Sequence, residues 1–599
     1  MCIRDRNKQI AHDYLRSACN TFTQNIYRSK DNTFLSLNKL RNNPDIAILS
    51  GDKDSSVVII NKADYKNKIN DIINDGINSN KYTHTEDTSL KDLRNFQMFV
   101  YRNFKDHKDY KTMRPVSNQP ARLFVSAKTH KFESLSEINI NELKLRPIID
   151  QTGTHTYDCS KLIAKYLQPL CHSDFVINDT LKFPSLIKSI PKHVDEEDVS
   201  YDVESLFTSI PVQETILYIL NQIYDKKTIK PFCKKKLIFR NLLNWLTKDC
   251  LFSANNCLYK QIDGCPMGGP ISVAMAGIFM KKLEIDVIKP PYPIFYKRYV
   301  DDIYVRRKVN SEDTLFIELN NYHENIKFTV EKNPKKFLDT KISFDDNNEI
   351  ITEVAFNDMK LPTHWSSKIP KRYKRNNING DLHRAKKIAS NFENEIIKIR
   401  NKYIKADYPL RYINSVISTF NNENTPGENN NNEGSNNNPE ENKRRVIVNL
   451  PFCSTNEEYA KTFLTKLKQF TNNKYSFIVV WKTRKIRSLF PLKDKVSISH
   501  CSNVIYEGVC TCNENYIGVT ERNSIIRFEE HNDATKTSEP AKHLKLNNNH
   551  TFTWTILSKA SPITRKGKIL EAFFIKVKRP TLNNQSDNYN LKLFHNGIT

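Results

Sequence analysis

Phe295-Tyr-Lys-Arg-Tyr-Val-Asp-Asp-Ile-Tyr-Val305 is the stretch whose reading decides the fold. Apolar and aromatic residues on both sides read as two short strands, with Asp301 and Asp302 between them. Adjacent carboxylates at the tip of a hairpin repel each other and favour neither strand. A pair of hard divalent cations is the natural counter-charge. Taken alone the pair is equally an ordinary acidic turn, so its meaning rests on what surrounds it.

The chain has 599 residues, enough for roughly three to five domains. Its 92 Lys plus Arg outweigh 67 Asp plus Glu, a net charge of +25. Such a surplus points to a polyanion, nucleic acid being the commonest, although ribosome-associated and membrane-surface proteins share it. The 38% hydrophobic content suits folded cores separated by solvated segments. No run approaches the roughly 18 apolar residues of a membrane span, so no membrane partner is expected. Of 12 cysteines only Cys501, Cys510 and Cys512 cluster, which suits a reducing compartment with one metal site rather than a disulfide scaffold. Met1-Cys-Ile-Arg-Asp-Arg6 lacks the apolar core of a signal peptide and resembles a translated sequencing adapter. The native start is therefore expected further upstream.

Upstream of the hairpin, Ile46-Ala-Ile-Leu-Ser-Gly-Asp-Lys-Asp-Ser-Ser-Val-Val-Ile-Ile60 reads as a strand, a turn and a second strand. Ala121–Lys131 and Leu143–Asp150 are strand-like and carry isolated cations, Lys128 and Arg146 among them. Such cations suit a triphosphate, or are simply solvated. In Val199-Ser-Tyr-Asp-Val-Glu-Ser-Leu-Phe-Thr-Ser-Ile-Pro211, Val199, Tyr201 and Val203 alternate with Asp202, placing that carboxylate on the opposite face of a strand. Gln261-Ile-Asp-Gly-Cys-Pro-Met-Gly-Gly-Pro-Ile-Ser272 is a glycine-rich turn leading into an apolar helix-like run, Val273–Met280.

Asp202, the glycine turn and Tyr299-Val-Asp-Asp302, in that order, resemble the palm motifs of reverse transcriptases. The flavour of Asp202–Pro211, Met267-Gly268 in place of the more usual Gln-Gly, and Arg298–Asp302 resemble Penelope-like retroelements in particular. Gly51-Asp-Lys53, Ala127–Lys131, Arg146-Pro147, Asn325–Val330 and Phe337-Leu-Asp339 extend the resemblance over most of residues 45–420. It implies that Asp202 and Asp301 hold two Mg²⁺ ions and that Asp302 assists or orients them. It implies that Phe207 is an aromatic gate against a ribose 2′-hydroxyl, an ordinary core phenylalanine being the alternative. Met267 and Gly268 would line the nucleotide site, and Lys128 and Arg146 would meet the incoming triphosphate.

Beyond the palm motifs, Pro370-Lys-Arg-Tyr-Lys-Arg375 is basic and fits a nuclear import signal as well as nucleic acid. Asp381 suits an N-cap for a helix in which Leu382, Ala385, Ile388, Phe392, Ile396, Ile399 and Tyr403 form one face. Arg384, Lys386, Lys387, Lys398, Arg400 and Lys402 fall on the other, which fits a thumb gripping a template–primer backbone or an ordinary solvated face. Asn421–Asn442 contains no large apolar residue and reads as a linker. Strands at Val446–Leu450 and Phe477–Trp481 and a helix near Glu457–Phe470 follow.

Near the C-terminus, Asn503-Val-Ile-Tyr-Glu-Gly508 and Asn515-Tyr-Ile-Gly-Val-Thr-Glu-Arg522 read as strands. Arg527 and His531 then share one helix face, and Glu571 lies on a later helix ahead of Asn583. Together these resemble the GIY-YIG endonuclease domain, with Tyr516-Ile-Gly518 matching the second triplet and Val504-Ile-Tyr506 a degenerate first one. The resemblance implies that Tyr506 with His531 activates water and that Arg527 stabilises the pentavalent phosphate. Tyr516 would position that phosphate, Glu571 would hold one Mg²⁺, and Asn583 would support the site. Penelope-like elements with this endonuclease tend to carry a cysteine–histidine set, here Cys510, Cys512, His531 and His543 as zinc ligands, with Cys501 as a substitute.

The expected fold class is α+β multidomain: a right-hand polymerase (fingers, palm with antiparallel sheet, helical thumb) plus a small α/β nuclease domain. The expected boundaries are 1–110 N-terminal helical region, 111–345 fingers and palm, 346–420 thumb, 421–445 linker, 446–500 connector and 501–599 endonuclease. The expected activity is RNA-directed DNA polymerase plus DNA nicking by target-primed reverse transcription. Its partners would be the element RNA, target DNA with its primer 3′ end and deoxynucleoside triphosphates, in the nucleus after cytoplasmic synthesis. A domesticated or decayed element that only binds nucleic acid, or an intron-encoded maturase with a homing nuclease, are the alternatives. Intact Asp202, Asp301, Asp302 and Glu571 speak against the first, and Gly51-Asp-Lys53 with Met267-Gly268 against the second.

Overall fold

The computed structural model describes residues 13–583 apart from 15–16, 23, 26–31, 54–55, 130–131, 133–140, 291–292, 310–312, 357–361, 425–443, 473–474, 484–488 and 560–564. Met1–Arg6, the end of the Ala127–Lys131 segment and the Asn-rich linker beyond Asn424 lie outside the described residues. No helix among the described residues is long and apolar enough to cross a membrane.

In chain order the first half runs β1 (Ile46–Ser50), β2 (Val57–Asn61), α1 (Lys62–Asn78), β3 (Tyr82–His84), α2 (Ser89–Phe104), β4 (Ala121–Ala127) and β5 (Leu145–Asp150). It continues with α3 (Tyr157–Leu167), β6 (Glu196–Val203), α4 (Val212–Leu220), α5 (Lys236–Thr247), β7 (Cys250–Ala254) and β8 (Cys257–Gln261). Helix α6 (Ser272–Val287) and strands β9 (Phe295–Tyr299), β10 (Asp302–Lys308) and β11 (Phe328–Lys332) complete it.

Two sheets organise this half. One has five strands in the order β3-β8-β7-β4-β5; the other has four, in the order β11-β6-β10-β9. The hairpin β1–β2 is fixed to the first sheet by a bridge from Gly51 to Ala127. The four-stranded sheet is antiparallel throughout and lays Val199, Tyr201, Ile303 and Val305 on a large core with α4, α5 and α6. A helical region over 1–110 is corrected: β1, β2 and β3 lie inside it, and β3 belongs to a sheet whose other strands reach residue 261. That pairing joins residues far apart in sequence, which local periodicity does not register.

Strands β12 (Lys336–Phe337), β13 (Thr340–Phe344) and β14 (Ile350–Val354) lead to helices α7 (Lys371–Ile388), α8 (Phe392–Ile404) and α9 (Leu410–Asn424). The expected apolar face is buried in one cluster, but over two helices rather than one. Asn391 caps α8 by accepting from the Asn394 amide, with Glu393 and Glu395 in the first turn. Asp381 is not an N-cap. It lies inside α7 and accepts from Lys402 and Tyr403 on α8, tying the two helices together. Lys374 in the basic run is buried and donates to the Trp365 carbonyl.

Beyond the undescribed linker, β15 (Arg444–Pro451), α10 (Ser454–Phe470) and β16 (Tyr475–Lys482) form a parallel βαβ unit. Ala18 and Phe22 pack into its core, a second departure from a separate N-terminal region. Last come β17 (Val504–Cys510), β18 (Asn515–Thr520), α11 (Ser524–Asn532), α12 (Glu539–Leu546), β19 (Phe552–Lys559) and α13 (Arg565–Lys578). Their antiparallel sheet has the order β18-β17-β19. The segment leading into this unit is tied to β5 by Lys493–Asp150 at 2.6 Å and to the turn ahead of α2 by His500–Asp87 at 2.8 Å.

Candidate active sites

Strand pairing brings the first set of carboxylates together. Asp302 at the start of β10 stands directly opposite Asp202 near the end of β6, and opposite residues of an antiparallel pair project to the same face. Asp301 sits in the two-residue turn between β9 and β10. Burial, then the charges of Asp301 and Asp202, push the Asp302 carboxyl up to about 6, while Lys53 opposes the shift. Three carboxylates crowded this way form a site short of positive charge. They supply hard oxygen donors, the ligand type that Mg²⁺ prefers.

The turn holding Asp301 is strained and buttressed. Val300 has φ of 58°, the left-handed region that a β-branched residue disfavours. Its carbonyl accepts from Arg298 Nη1 at 3.0 Å. Arg298 is 2% exposed, and its guanidinium also grips Glu284 on α6, which is fully buried. A buried ion pair anchored in a neighbouring helix thus sets the turn that aims Asp301.

The glycine-rich turn spans both sheets. Cys265 N donates to the Phe207 carbonyl at 2.8 Å, and Ile149 N donates to the Met267 carbonyl at 2.8 Å. Gly268 has φ of 119°, and a Cβ there would lie 2.7 Å from the Ile149 oxygen, so only glycine allows the contact. Phe207 lies in the short helix Leu206–Ser209 just after β6 and packs against the main core from a partly buried position.

The cations behave differently from expectation. Arg146 pairs with Asp52 at 3.3 Å, and Asp52 also accepts from Ser126. Arg146 therefore holds the Gly51-Asp-Lys53 loop, and Lys53 is the cation that reaches the carboxylates. A cavity of about 470 Å³ is lined by Lys53, Asp202 and Asp302 together with Asp339, Arg384 and Lys402. Lys128 donates its backbone amide to the Lys144 carbonyl at 2.9 Å and lines no cavity described for this site. Lys53 and Asp339 went unassigned in the sequence because each stands in a turn whose partners are remote. Their signal was their place in Gly51-Asp-Lys53 and Phe337-Leu-Asp339.

The second set also converges. The Tyr506 hydroxyl lies 2.7 Å from His531 Nε2, and Arg527 Nε donates to that hydroxyl at 3.3 Å. Tyr506 and His531 are both fully buried. Burial, then the neighbouring Arg527 charge, push the His531 imidazole down to about 3, so the ring is neutral and has one acceptor nitrogen. Its Nδ1 lies 2.8 Å from the Ser538 hydroxyl. Burial raises the phenols of Tyr506 and Tyr516, and the Glu571 charge adds to the rise of both. Asn583 brackets Ile517, accepting from its amide and donating to its carbonyl at 2.8 Å each. At Gly518 a Cβ would lie 2.6 Å from the Tyr506 oxygen, which explains the glycine of the second triplet. Val504 in the degenerate first triplet pairs regularly with Thr520 on β18, while the pairing with β19 shifts register between Ile505 and Tyr506.

The metal-ligand set needs one correction. Cys510, Cys512, His543 and His550 place one ligand atom each within 4.8 Å of one another. His531 is not among them, being held by Tyr506 and Ser538, and Cys501 instead donates to the Ser497 carbonyl. His543 Nε2 lies 3.3 Å from Cys510 Sγ, 3.5 Å from Cys512 Sγ and 3.0 Å from His550 Nδ1. These are the separations that ligands about 2.0–2.3 Å from a tetrahedral zinc would show. The far nitrogen of His543 lies 3.2 Å from Glu514, which fixes the tautomer that offers Nε2 to a metal.

A family model described as an animal helix-turn-helix domain matches residues 361–418, the stretch that holds α7, α8 and the start of α9. No curated protein matches the chain. Among solved structures, telomerase from Candida albicans with a TWJ fragment of telomeric RNA is similar at 8% identity and a TM-score of 0.40, over 63% of this chain and 66% of that one. Apo telomerase from Candida tropicalis is similar at 10% identity and a TM-score of 0.37, over 63% and 67%. The Sicinivirus 3Dpol RNA-dependent RNA polymerase is similar at 10% and 0.34, over 57% and 74%. The chain thus spans about two thirds of the length of these telomerases.

Proposed function

We propose that the chain is an RNA-directed DNA polymerase joined to a DNA-nicking endonuclease, of the kind found in Penelope-like retroelements. One observation carries the polymerase half: Asp202 and Asp302 face each other in register, with Asp301 at the adjoining turn. Two Mg²⁺ ions held by these carboxylates would activate a primer 3′-hydroxyl and neutralise the leaving pyrophosphate. Asp202 and Asp301 would be the main ligands, and Asp302 would orient them. Lys53, Arg384 and Lys402 put cationic side chains beside the carboxylates, where a triphosphate and a nucleic-acid backbone would lie. Arg146 acts by positioning Lys53 through Asp52. Phe207, beside the Asp202 strand end, serves as the gate against a ribose 2′-hydroxyl.

The C-terminal unit resembles a GIY-YIG nuclease in its chemistry. The Tyr506 oxygen would take a proton from the water attacking a phosphodiester as its own passes to neutral His531. The P–O bond to the leaving oxygen breaks with that oxygen taking a proton from solvent, and Arg527 would balance the developing phosphate charge. Glu571 would hold one Mg²⁺, Tyr516 would position the phosphate, and Asn583 fixes β18. A zinc ion on Cys510, Cys512, His543 and His550 would staple the β17–β18 turn to α12. Joining the two activities suits target-primed reverse transcription in the nucleus, with a nicked DNA 3′ end as primer and the element RNA as template.

The test separates the halves. Asp301→Asn abolishes RNA-templated extension with deoxynucleotides and leaves plasmid nicking intact, while Glu571→Ala does the reverse. Full extension by Asp301→Asn would refute the polymerase assignment, and preference for ribonucleotides would refute the Phe207 gate.

A further inference from the structure

A cavity of about 400 Å³ lies between α2, α5 and the start of α3, lined by none of the proposed catalytic residues. Its size falls within the roughly 300–1,000 Å³ of small-molecule sites. Three flat rings wall it: Phe99, His155 and Trp245, with Phe99 and Trp245 centred 6.5 Å apart and His155 meeting Trp245 edge-on at 87°. Burial pushes the His155 imidazole down to about 4, so it is neutral and offers one donor and one acceptor.

Amides supply the rest. Gln151 lines the cavity and is 3% exposed; its Nε2 donates to Cys250 Sγ, while its Oε1 has no hydrogen-bond partner. A buried acceptor without a partner is costly to keep, which favours a ligand that brings a donor to Gln151. Asn244 accepts from Gln213 through its oxygen, which leaves its N–H groups for a ligand. Lys248 and Lys260 line the cavity too, alongside the carboxylates of Asp92 and Asp249. A second cavity of about 380 Å³ shares Gln119, Thr154 and His155 as a common wall and adds Arg114, Arg122 and Lys559.

Flat rings to stack on, amides to read an edge and cations for a phosphate are the elements that recognise unstacked bases. We infer that the first cavity takes an unpaired nucleobase of a single-stranded nucleic acid, and that the second holds the adjoining nucleotide. A paired base cannot present its edge and both faces there, so duplexes are excluded. Binding needs none of the catalytic carboxylates and is measured without turnover, so its failure is distinct from failure of the polymerase or nuclease reading.

The full chain, in chelator, is irradiated with single-stranded octamers carrying 5-iodouracil, in ribo and deoxy forms, and the adducts are mapped. Adducts at Phe99, His155 or Trp245 are expected, and a yield higher with the ribo octamer assigns the ligand to RNA while equal yields assign it to either strand type. Trp245→Leu weakens octamer binding about 5- to 150-fold, the range for loss of one stacked base. Asn241 lies at the exposed rim, so Asn241→Glu disturbs no core and still lowers the yield by placing a carboxylate beside the phosphate. Adducts confined to other regions, or an unchanged yield in Asn241→Glu with the melting temperature preserved, overturn the assignment.

Discussion

Arg298 donates to the carbonyl of Val300, 3.0 Å away, from a guanidinium whose other nitrogens are held by Glu284. The hairpin Phe295–Val305 therefore contains its own support. The carboxylate at the tip and the arginine three residues before it belong to one device, the second holding the strained backbone that presents the first.

Arg298→Met should cost about 3–5 kcal/mol of stability, because it leaves the Glu284 charge buried without a partner. Adding Glu284→Leu removes that charge and should restore much of the loss in chemical denaturation. Primer extension should stay low in the double variant, since the Val300 carbonyl still lacks its donor. Recovery of extension together with stability would reduce Arg298 to a packing role.

Asp302 predicts a pH dependence. Its carboxyl is pushed up to about 6 from 3.8, so ionising it opposes folding. Below about pH 4 the group is protonated in both folded and unfolded chains and costs nothing. As pH rises towards about 6 stability is lost, and the loss is complete above that. In chelator at pH 7.5, Asp302→Asn should therefore be more stable than the parent by on the order of 2 kcal/mol, and no more stable at pH 3.5. Mg²⁺ should stabilise the parent, and the variant to a smaller extent, since Asp202 and Asp301 remain to hold it. Equal melting temperatures at pH 7.5 would contradict the crowding of Asp302 by Asp301 and Asp202.

The nicking site predicts the opposite kind of profile. Free histidine titrates near 6.5, but burial and Arg527 push His531 down to about 3. Its folded pKa is depressed, so the neutral ring contributes stability that falls away from about pH 6.5 down to about 3. Nicking rate should show no inflection between pH 6 and 7 from this residue. Tyr506→Phe should lower nicking by about 100-fold or more, as expected when a positioned proton-transfer group is removed. A rate that halves near pH 6.5 in the parent but not in His531→Gln would refute a neutral His531.

What the sequence made legible followed from period and order. Alternation around Asp202 and the aromatic flanks of Asp301-Asp302 mark strands, and the register between them was the one further fact needed to join the carboxylates. The apolar face of α7 and α8 was visible at helical spacing, but the break between them hung on Asn391, a capping signal outweighed by the continuing pattern. Interactions between distant segments were not legible. Arg146 looked like a free cation until Asp52, from a separate hairpin, met it, while Lys53 lines the cavity beside Asp202 and Asp302. His531 was over-assigned for the same reason. Spacing on α11 allowed it either to serve Tyr506 or to bind metal, and only its burial against Tyr506 and Ser538 decides between them.

That decision is testable through the metal itself. The cluster of Cys510, Cys512, His543 and His550 should bind one zinc per chain, measured on protein purified without chelator. His550→Ala removes a ligand from a four-ligand site, so zinc should be lost or bound far more weakly, with the β17–β18 turn no longer tied to α12. Glu514→Gln keeps every ligand but weakens the hold on the His543 tautomer, so affinity should fall by about 10- to 100-fold. His531→Ala touches none of these atoms and should retain full zinc while losing nicking. Zinc retained in His550→Ala but lost in His531→Ala would return His531 to the metal and leave Tyr506 without its proton acceptor.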